Sequence, residues 1–356
     1  MGAYQRKLEE MVAVAPELEL IVAVPPSWKD ERGVTPLERA HTRGYRLLVL
    51  PLALNGYFHL HFYPTVGRLL REVRPEIVHI DEEPYNLATY HANRLARRQG
   101  AKTLWFSWQN LLRHYPPPFS WMEAYNLRHV EHAIAGSQSA AKIWQAKGYA
   151  GPLAVIPQFG VDPALFSPSV SPRSDGSVHF AYVGRLVRAK GVDLLLQALS
   201  TLDGNWRLTI LGSGPDAALL QAMARECNLI DRVAFRPPIP SVEMPNFYRE
   251  IDVLILPSRS QANWTEQFGR VLTEAMACGK GVVGSDAGEI PYVVGNAGLI
   301  FPEGDMISLR AALAQLMHMP ALRKALGRRG RARVLAHFTQ RHIAEQTVGV
   351  YQKMML

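Results

Sequence analysis

The chain has 356 residues, 48% hydrophobic and 20% charged, with 39 Lys and Arg against 31 Asp and Glu for a formal net charge of +8. That composition excludes a disordered or fibrous protein, and the length favours two domains over one. The positive excess is spread along the chain, so nucleic acid is not an expected partner, whereas phosphorylated ligands or an anionic membrane surface suit it.

The two cysteines, Cys227 and Cys278, cannot build a disulfide or metal framework of any complexity and fit a reduced, cytoplasmic setting. The apolar run LLVLPLAL (47–54) is broken by proline well short of a membrane span, and no signal-peptide pattern opens the chain.

In chain order, AYQRKLEEMVAVA (3–15) reads as an amphipathic helix and ELELIVAVPPSW as a strand stopped by Pro25 and Pro26. RLLVLPLAL is a strand, PTVGRLLREVRP a helix, EIVHIDEEP a strand entering an acidic loop, and NLATYHANRLARRQG a helix closed by Gly100. AKTLWFSWQN, WMEAYNLRHVE and HAIAGS follow as strand, helix and strand. His59 and His61 alternate on a strand-like segment and are expected to be structural. FSPSVSPRSDGS (166–177) is the best linker. Beyond it VHFAYVG, VDLLLQALS, WRLTILGSG, PDAALLQAMARECN, VAFRPPI, MPNFYREI, DVLILPS, FGRVLTEAMAC, KGVVGSD and AGLIF continue the alternation. Such alternation implies parallel strands with crossover helices. The expected fold is α/β, two Rossmann-like doubly wound domains facing across a cleft. The boundaries are 1–168, 169–337 and a C-terminal helix, 338–356, returning toward the first domain. Because the chain opens at MGAY, already entering a helix, a first strand of the N-terminal domain is expected to be missing.

Several segments carry chemistry. In VGRLVRAKGVD (183–193) a strand ends at Gly184 and a helix begins near Val192, with Arg185, Arg188 and Lys190 between them. Cations facing a helix N-terminus suit phosphate, although a solvated basic loop has the same composition. LGSGP (211–215) lacks the third glycine of a dinucleotide fingerprint and reads as a turn, with Pro215 at a first helical position. In EQFGRVLTE (266–274) the two acids are eight residues apart, so on one helix they would diverge by roughly 80° and about 12 Å. They are therefore not a close catalytic pair. With Glu266 on the entering loop, Glu274 inside the helix and a helix start at Phe268–Gly269, they are placed to hold two ends of an elongated ligand. A dipole-favoured acid plus a surface acid is the plainer alternative. The run GRRGRARVL (327–335) reads as a solvated helix face. No HExxH or paired His/Cys spacing points to a metal.

Together VIPQFGVDPALFSP, VGRLVRAKGVDLLLQAL, LTILGSGP and EQFGRVLTEAMACGKGVVGSDAGEIPYVVGNAGLIFPEGD resemble the retaining nucleotide-sugar glycosyltransferases of glycosyltransferase family 4. The resemblance covers the second half and is looser over the first 150 residues. It implies a GT-B architecture, a UDP-, GDP- or ADP-sugar donor, a glycan or glycolipid acceptor, and no cofactor or metal. By the same resemblance, Arg185 and Lys190 would hold the donor diphosphate and Glu274 the ribose. Glu266 and the backbone of Phe268 and Gly269 would hold the sugar, with Gly184, Arg270 and Val271 lining the site. Gly2 would stand at the end of the Gly-rich loop that approaches donor and acceptor. Where many members carry a histidine, WFSWQN places Trp108 or Gln109, so no histidine role transfers. A catalytically silent partner subunit and a GT-B sugar-nucleotide epimerase remain the other readings. The basic faces of GRLLREV and NRLARRQG are compatible with peripheral contact at the inner face of a membrane.

Overall fold

A computed structural model describes residues 5–30, 33–168 and 176–356. Gly2 and most of the expected linker, 169–175, lie outside the described residues. The chain forms two compact units: Met1–Gly160 with Gln340–Leu356, and Val161–Thr339.

The first unit opens with α1 (Gln5–Val14), whose Met11 is buried. β1 (Ile21–Val24) leads to a hairpin, β2 (Ser27–Asp30) with β3 (Gly33–Pro36), and then to β4 (Arg46–Val49), which pairs in parallel with β1. Next come α2 (Val66–Val73), β5 (Ile77–Ile80), α3 (Leu87–Arg97), β6 (Lys102–Ser107), α4 (Phe119–His129), β7 (His132–Ala135), α5 (Gln138–Ala146) and β8 (Leu153–Val155). β5, β6, β7 and β8 form a parallel sheet in that order. Its interior strand β6 is almost wholly buried, as covering both faces with helices requires. The apolar sides of α2 and α3 are used within the unit, where Leu70 packs with Ala96 and Ala101. Those are the two helices whose basic faces suggest membrane contact in the sequence. His59 and His61 lie in a turn-rich loop after β4, not on a strand.

The second unit contains β9 (Val178–Val183), α6 (Val192–Ser200), β10 (Trp206–Leu211), α7 (Ala217–Glu226), β11 (Val233–Arg236), α8 (Met244–Glu250) and β12 (Val253–Leu256). It continues through α9 (Arg270–Ala277), β13 (Gly281–Ser285), α10 (Ile290–Val294), β14 (Leu299–Phe301), α11 (Met306–His318) and α12 (Pro320–His337). The sheet order is β11-β10-β9-β12-β13-β14, all parallel. Counted from β9 this is the doubly wound 3-2-1-4-5-6 order, so the winding reverses between β9 and β12. Pro215 precedes α7 rather than opening it. The basic run on α12 is only partly solvated. Arg331 donates to the carbonyls of Phe166 and Ala277, and Arg333 to those of Val293 and Tyr292, fastening the helix to its neighbours.

The chain closes with α13 (Gln340–Met355), which belongs to the first unit. Ile343, Val350 and Met354 join Leu104 and Phe106 in one cluster, and Ala344 and Val348 join Met11 and Ala15 in another.

Candidate functional site

In open α/β sheets ligands bind beyond the carboxyl ends of the strands, where the winding reverses. In the second unit that point lies after β9 and β12, the strands that lead into the Gly184–Lys190 and Ser258–Glu266 loops. Close backbone packing shapes the first of these. A Cβ on Gly212 would stand 1.8 Å from the Gly184 carbonyl oxygen, and one on Gly214 would stand 2.2 Å from that of Leu186. The buried Tyr182 hydroxyl donates to the Arg185 carbonyl at 2.7 Å, fixing the loop while the Arg185 residue itself is exposed. Gly191, with φ +68°, brings the start of α6 against the end of β12, where a Cβ would meet the Pro257 oxygen at 1.9 Å.

The two loops meet through their charges. Lys190 Nζ lies 2.6 Å from Glu266 Oε2, and Ser258 Oγ donates to the same oxygen at 2.9 Å. The ammonium also sits 4.7 Å from the centre of the Trp264 ring. Glu266 is only 8% exposed, and its carbonyl accepts from the Glu289 amide at 3.1 Å. Gly288 is tight against that carbonyl, at 2.1 Å from its would-be Cβ, so the loop after β13 clamps the loop after β12. Lys190 and Glu266, to which the resemblance gave the diphosphate and the sugar of the donor, thus share one ion pair. The α6 N-terminus is likewise occupied. Asp193 in its first turn pairs with Arg259 at 2.6 Å, and Arg259 also donates to the Arg188 carbonyl.

Glu274 stands apart, one turn into α9 and 7% exposed. Its Oε1 is 3.0 Å from Arg270 Nε and its Oε2 accepts from Tyr248 at 2.8 Å. Burial raises its pKa, with Arg270 and then Tyr248 opposing the shift. Phe268 is buried with its ring 5.7 Å from that of Phe338, which leaves only its backbone for a ligand. Gly269 is the N-cap of α9 in the left-handed region, φ +79° and ψ +50°, so the helix begins at Arg270 rather than at Phe268. With a glycine as N-cap, α9 opens on a positive helix end, where the Leu272 amide donates to the Gly269 carbonyl at 2.8 Å. Val271 is half-buried in that turn.

In the first unit Gln109 is buried. Its Nε2 donates to the Leu111 carbonyl at 3.0 Å, while its Oε1 has no hydrogen-bond partner among the described residues. Beside it Glu83, after β5, accepts from Ser107 Oγ at 2.5 Å and from the Trp108 amide at 2.8 Å. Burial pushes the Glu83 carboxyl up to about 7. Sequence reasoning missed Glu83, Ser258, Trp264, Tyr248 and Arg259. Ser258, Arg259 and Glu83 carried a signal, a polar residue two or three positions beyond a strand. No group of three or more His, Cys, Asp or Glu among the described residues is placed to hold a metal ion.

Comparison with known proteins matches residues 18–165 to the Glycosyltransferase Family 4 model and 167–333 to Glycosyl transferases group 1. A D-inositol 3-phosphate glycosyltransferase of Acidothermus cellulolyticus is 34% identical over 221 residues, covering 56% of this chain and 47% of that protein. The chain thus spans about half the length of the curated relatives it matches. Among solved structures, sucrose-phosphate synthase from Thermosynechococcus elongatus aligns with TM-score 0.73 at 22% identity, over 99% of this chain and 92% of that one. Anabaena Alr3699/HepE in complex with UDP aligns with TM-score 0.75 at 18% identity, over 99% and 96%. The shared architecture is GT-B, with two Rossmann-like units.

Proposed function

We propose that the chain, whose two halves match the Glycosyltransferase Family 4 and Glycosyl transferases group 1 models, moves a sugar from a nucleoside-diphosphate sugar to a hydroxyl acceptor, with retention and without a metal. One observation carries the reading: the Lys190–Glu266–Ser258 cluster sits beyond β9 and β12, at the reversal of a 3-2-1-4-5-6 sheet. There a diphosphate competes with Glu266 for the Lys190 ammonium, and Arg185 on the adjoining loop adds a second cation. The positive end of α9 adds to the attraction for the diphosphate. Charge building on the departing diphosphate is stabilised by these fixed groups, the role a metal plays elsewhere. Glu266, released from Lys190, accepts from sugar hydroxyls. Glu274, held rigid by Arg270 and Tyr248, accepts from the ribose. Gly184 and Gly269 allow close backbone approach, and Val271 lines the α9 side. In the first unit Trp108 or Gln109 stands where other members carry a histidine, and Gln109 Oε1 is a polar atom there that a substrate could engage. That HepE was solved with UDP and with UDP-glucose supports a uridine nucleotide as the first donor to try.

The test is thermal denaturation with UDP, GDP and ADP and their sugars, in EDTA. A ligand at about 100 times its Kd stabilises by about 2.7 kcal/mol, a clear shift in Tm. Lys190→Ala and Glu274→Ala should melt cooperatively and lose that shift. No shift with any of the nucleotides in the parent protein would sink the donor site. A shift without turnover on any acceptor would favour a silent subunit.

A further inference from the structure

The Lys190 ammonium has two neighbours of different chemistry, Glu266 Oε2 at 2.6 Å and the Trp264 ring, its centre 4.7 Å away. A carboxylate neutralises the cation it holds, so an arriving anion has to displace it. An aromatic face attracts a cation through its quadrupole and carries no net charge. It can therefore hold an ammonium and leave the whole charge to a second, anionic partner.

The position of the ring is built into the backbone. Trp264 ends a four-residue turn whose outer residues exchange amide bonds. The Gln261 amide donates to the Trp264 carbonyl at 2.7 Å and the Trp264 amide to the Gln261 carbonyl at 3.2 Å. Flanking the turn, Ser260 Oγ and Thr265 Oγ1 lie 2.9 Å apart, and the Ser260 amide donates to Glu303 Oε2. Thr265 is buried, and a Cβ on Gly288 would stand 2.9 Å from its Oγ1. On the other side the Arg259 amide donates to the Ala189 carbonyl at 2.7 Å, which ties the turn to the 3-10 turn Arg188–Lys190. Gln261, Ala262 and Asn263 are exposed, whereas Trp264 is half-buried with its ring turned back onto the ammonium.

A lysine side chain is a long, flexible stem. Once Glu266 turns to sugar hydroxyls, a Lys190 held by the carboxylate alone would regain its rotamers, and binding a diphosphate would have to order it again. A second, uncharged contact removes that cost. We propose that Trp264 is a positioning residue of the donor site, keeping the Lys190 ammonium in place and fully charged while Glu266 gives way to the diphosphate. The inference rests on the donor reading and adds to it a residue that acts through Lys190.

The experiment is calorimetric titration with UDP, GDP and ADP in EDTA, on the parent protein and on Trp264→Phe and Trp264→Leu. For the nucleotide that binds the parent most tightly, Trp264→Leu should raise Kd about tenfold and Trp264→Phe by less, since indole is the best of the cation-binding faces. A merely structural ring would give the same order, so the deciding series keeps the shape. Tryptophan bearing one to four ring fluorines, inserted at position 264 alone, weakens the face and changes little else. Kd should rise with each fluorine, to about fivefold at four. The same series serves if Trp264→Leu does not fold. A constant Kd along it would overturn the proposal, while loss of nucleotide binding in Lys190→Ala would show the donor site to stand without it. A fluorine dependence seen with UDP-glucose and absent with UDP would assign the ring to the sugar and overturn the proposal equally. Failure of the parent to bind any of the three nucleotides would overturn the donor reading and this inference together.

Discussion

In the second unit β9 is bonded along both edges, to β10 and β12, and every residue of it except Val183 is buried. In the first unit β1 bonds only to β4, and β5 only to β6, among the described residues, and most residues of β1 and β5 are half-buried. The same alternation of strand and helix thus yields one continuous sheet and one divided sheet. A central strand does more than add hydrogen bonds. It creates the reversal of winding that gathers loops from distant parts of the chain, and the Lys190–Glu266 pair stands at such a reversal. The first unit's polar residues instead cluster beyond neighbouring strands, β5 and β6, with no reversal between them.

Substitutions can test how far that difference reaches. The largest effect should come from Gly191→Ala, which combines φ +68° with a Cβ 1.9 Å from the Pro257 oxygen. A loss of about 4 kcal/mol is expected, read as a fall in the midpoint of urea unfolding. Lys190→Met should cost about 2–3 kcal/mol, because Glu266 remains buried without its cation, and Lys190→Met with Glu266→Gln should recover part of it. Gly100→Ala in the first unit, at φ +82° with nothing within 4 Å among the described residues, should lose only about 1 kcal/mol. Similar losses at Gly191 and Gly100 would show that contact at the strand ends is not what sets the second unit apart.

A pH effect belongs to the first unit. Burial pushes the His79 imidazole down to about 4, with Asp81 opposing and Lys7 reinforcing the shift. Below pH 6.5 the unfolded chain takes up a proton that the folded chain refuses, so stability falls between pH 6.5 and 4. The loss is about 3 kcal/mol. Glu83 acts in the opposite sense. Raised to about 7 from 4.5, it takes up its proton in the folded state first, so stability is gained as pH falls through that window. Glu83→Gln should therefore steepen the acid loss, and His79→Asn should reverse it. Parallel pH profiles for the two variants would refute the assignment.

Much of the second unit is legible in the sequence because its strands are continuous apolar runs and its helices have clean periodicity. Helical arithmetic predicts that Glu266 and Glu274 are separate groups, although Glu266 lies on the loop before α9 and not on the helix. That Glu266 meets Lys190 is not legible, since the residues are 76 apart in sequence and join only when β9 lies beside β12. Tyr248 reaches Glu274 from α8 by the same kind of non-local packing. The β2–β3 hairpin escapes because β3 is exposed throughout and shows no alternation. The helix α5 escapes although Ser137 caps it, its Oγ accepting from the Ala140 amide at 3.1 Å, because a lone capping serine is common in loops too. The His59–His61 segment alternates polar and apolar like a strand, but burial of His61 against Glu82 winds it into turns.

The chain enters and leaves the second unit side by side. Val161 and Thr339 are paired, and the Val161 amide donates to the Phe338 carbonyl at 2.8 Å. On the ribosome this arrangement sets an order of assembly. Emerging N-terminal end first, the chain delivers α1 and the strands of the first unit early, yet the clusters around Met11 and Leu104 need Ala344, Val348, Ile343 and Met354. Those residues arrive only after the whole of the second unit has been made and can fold as a piece. The half that is synthesised first is the half completed last, and its apolar surface stays open for the length of that wait.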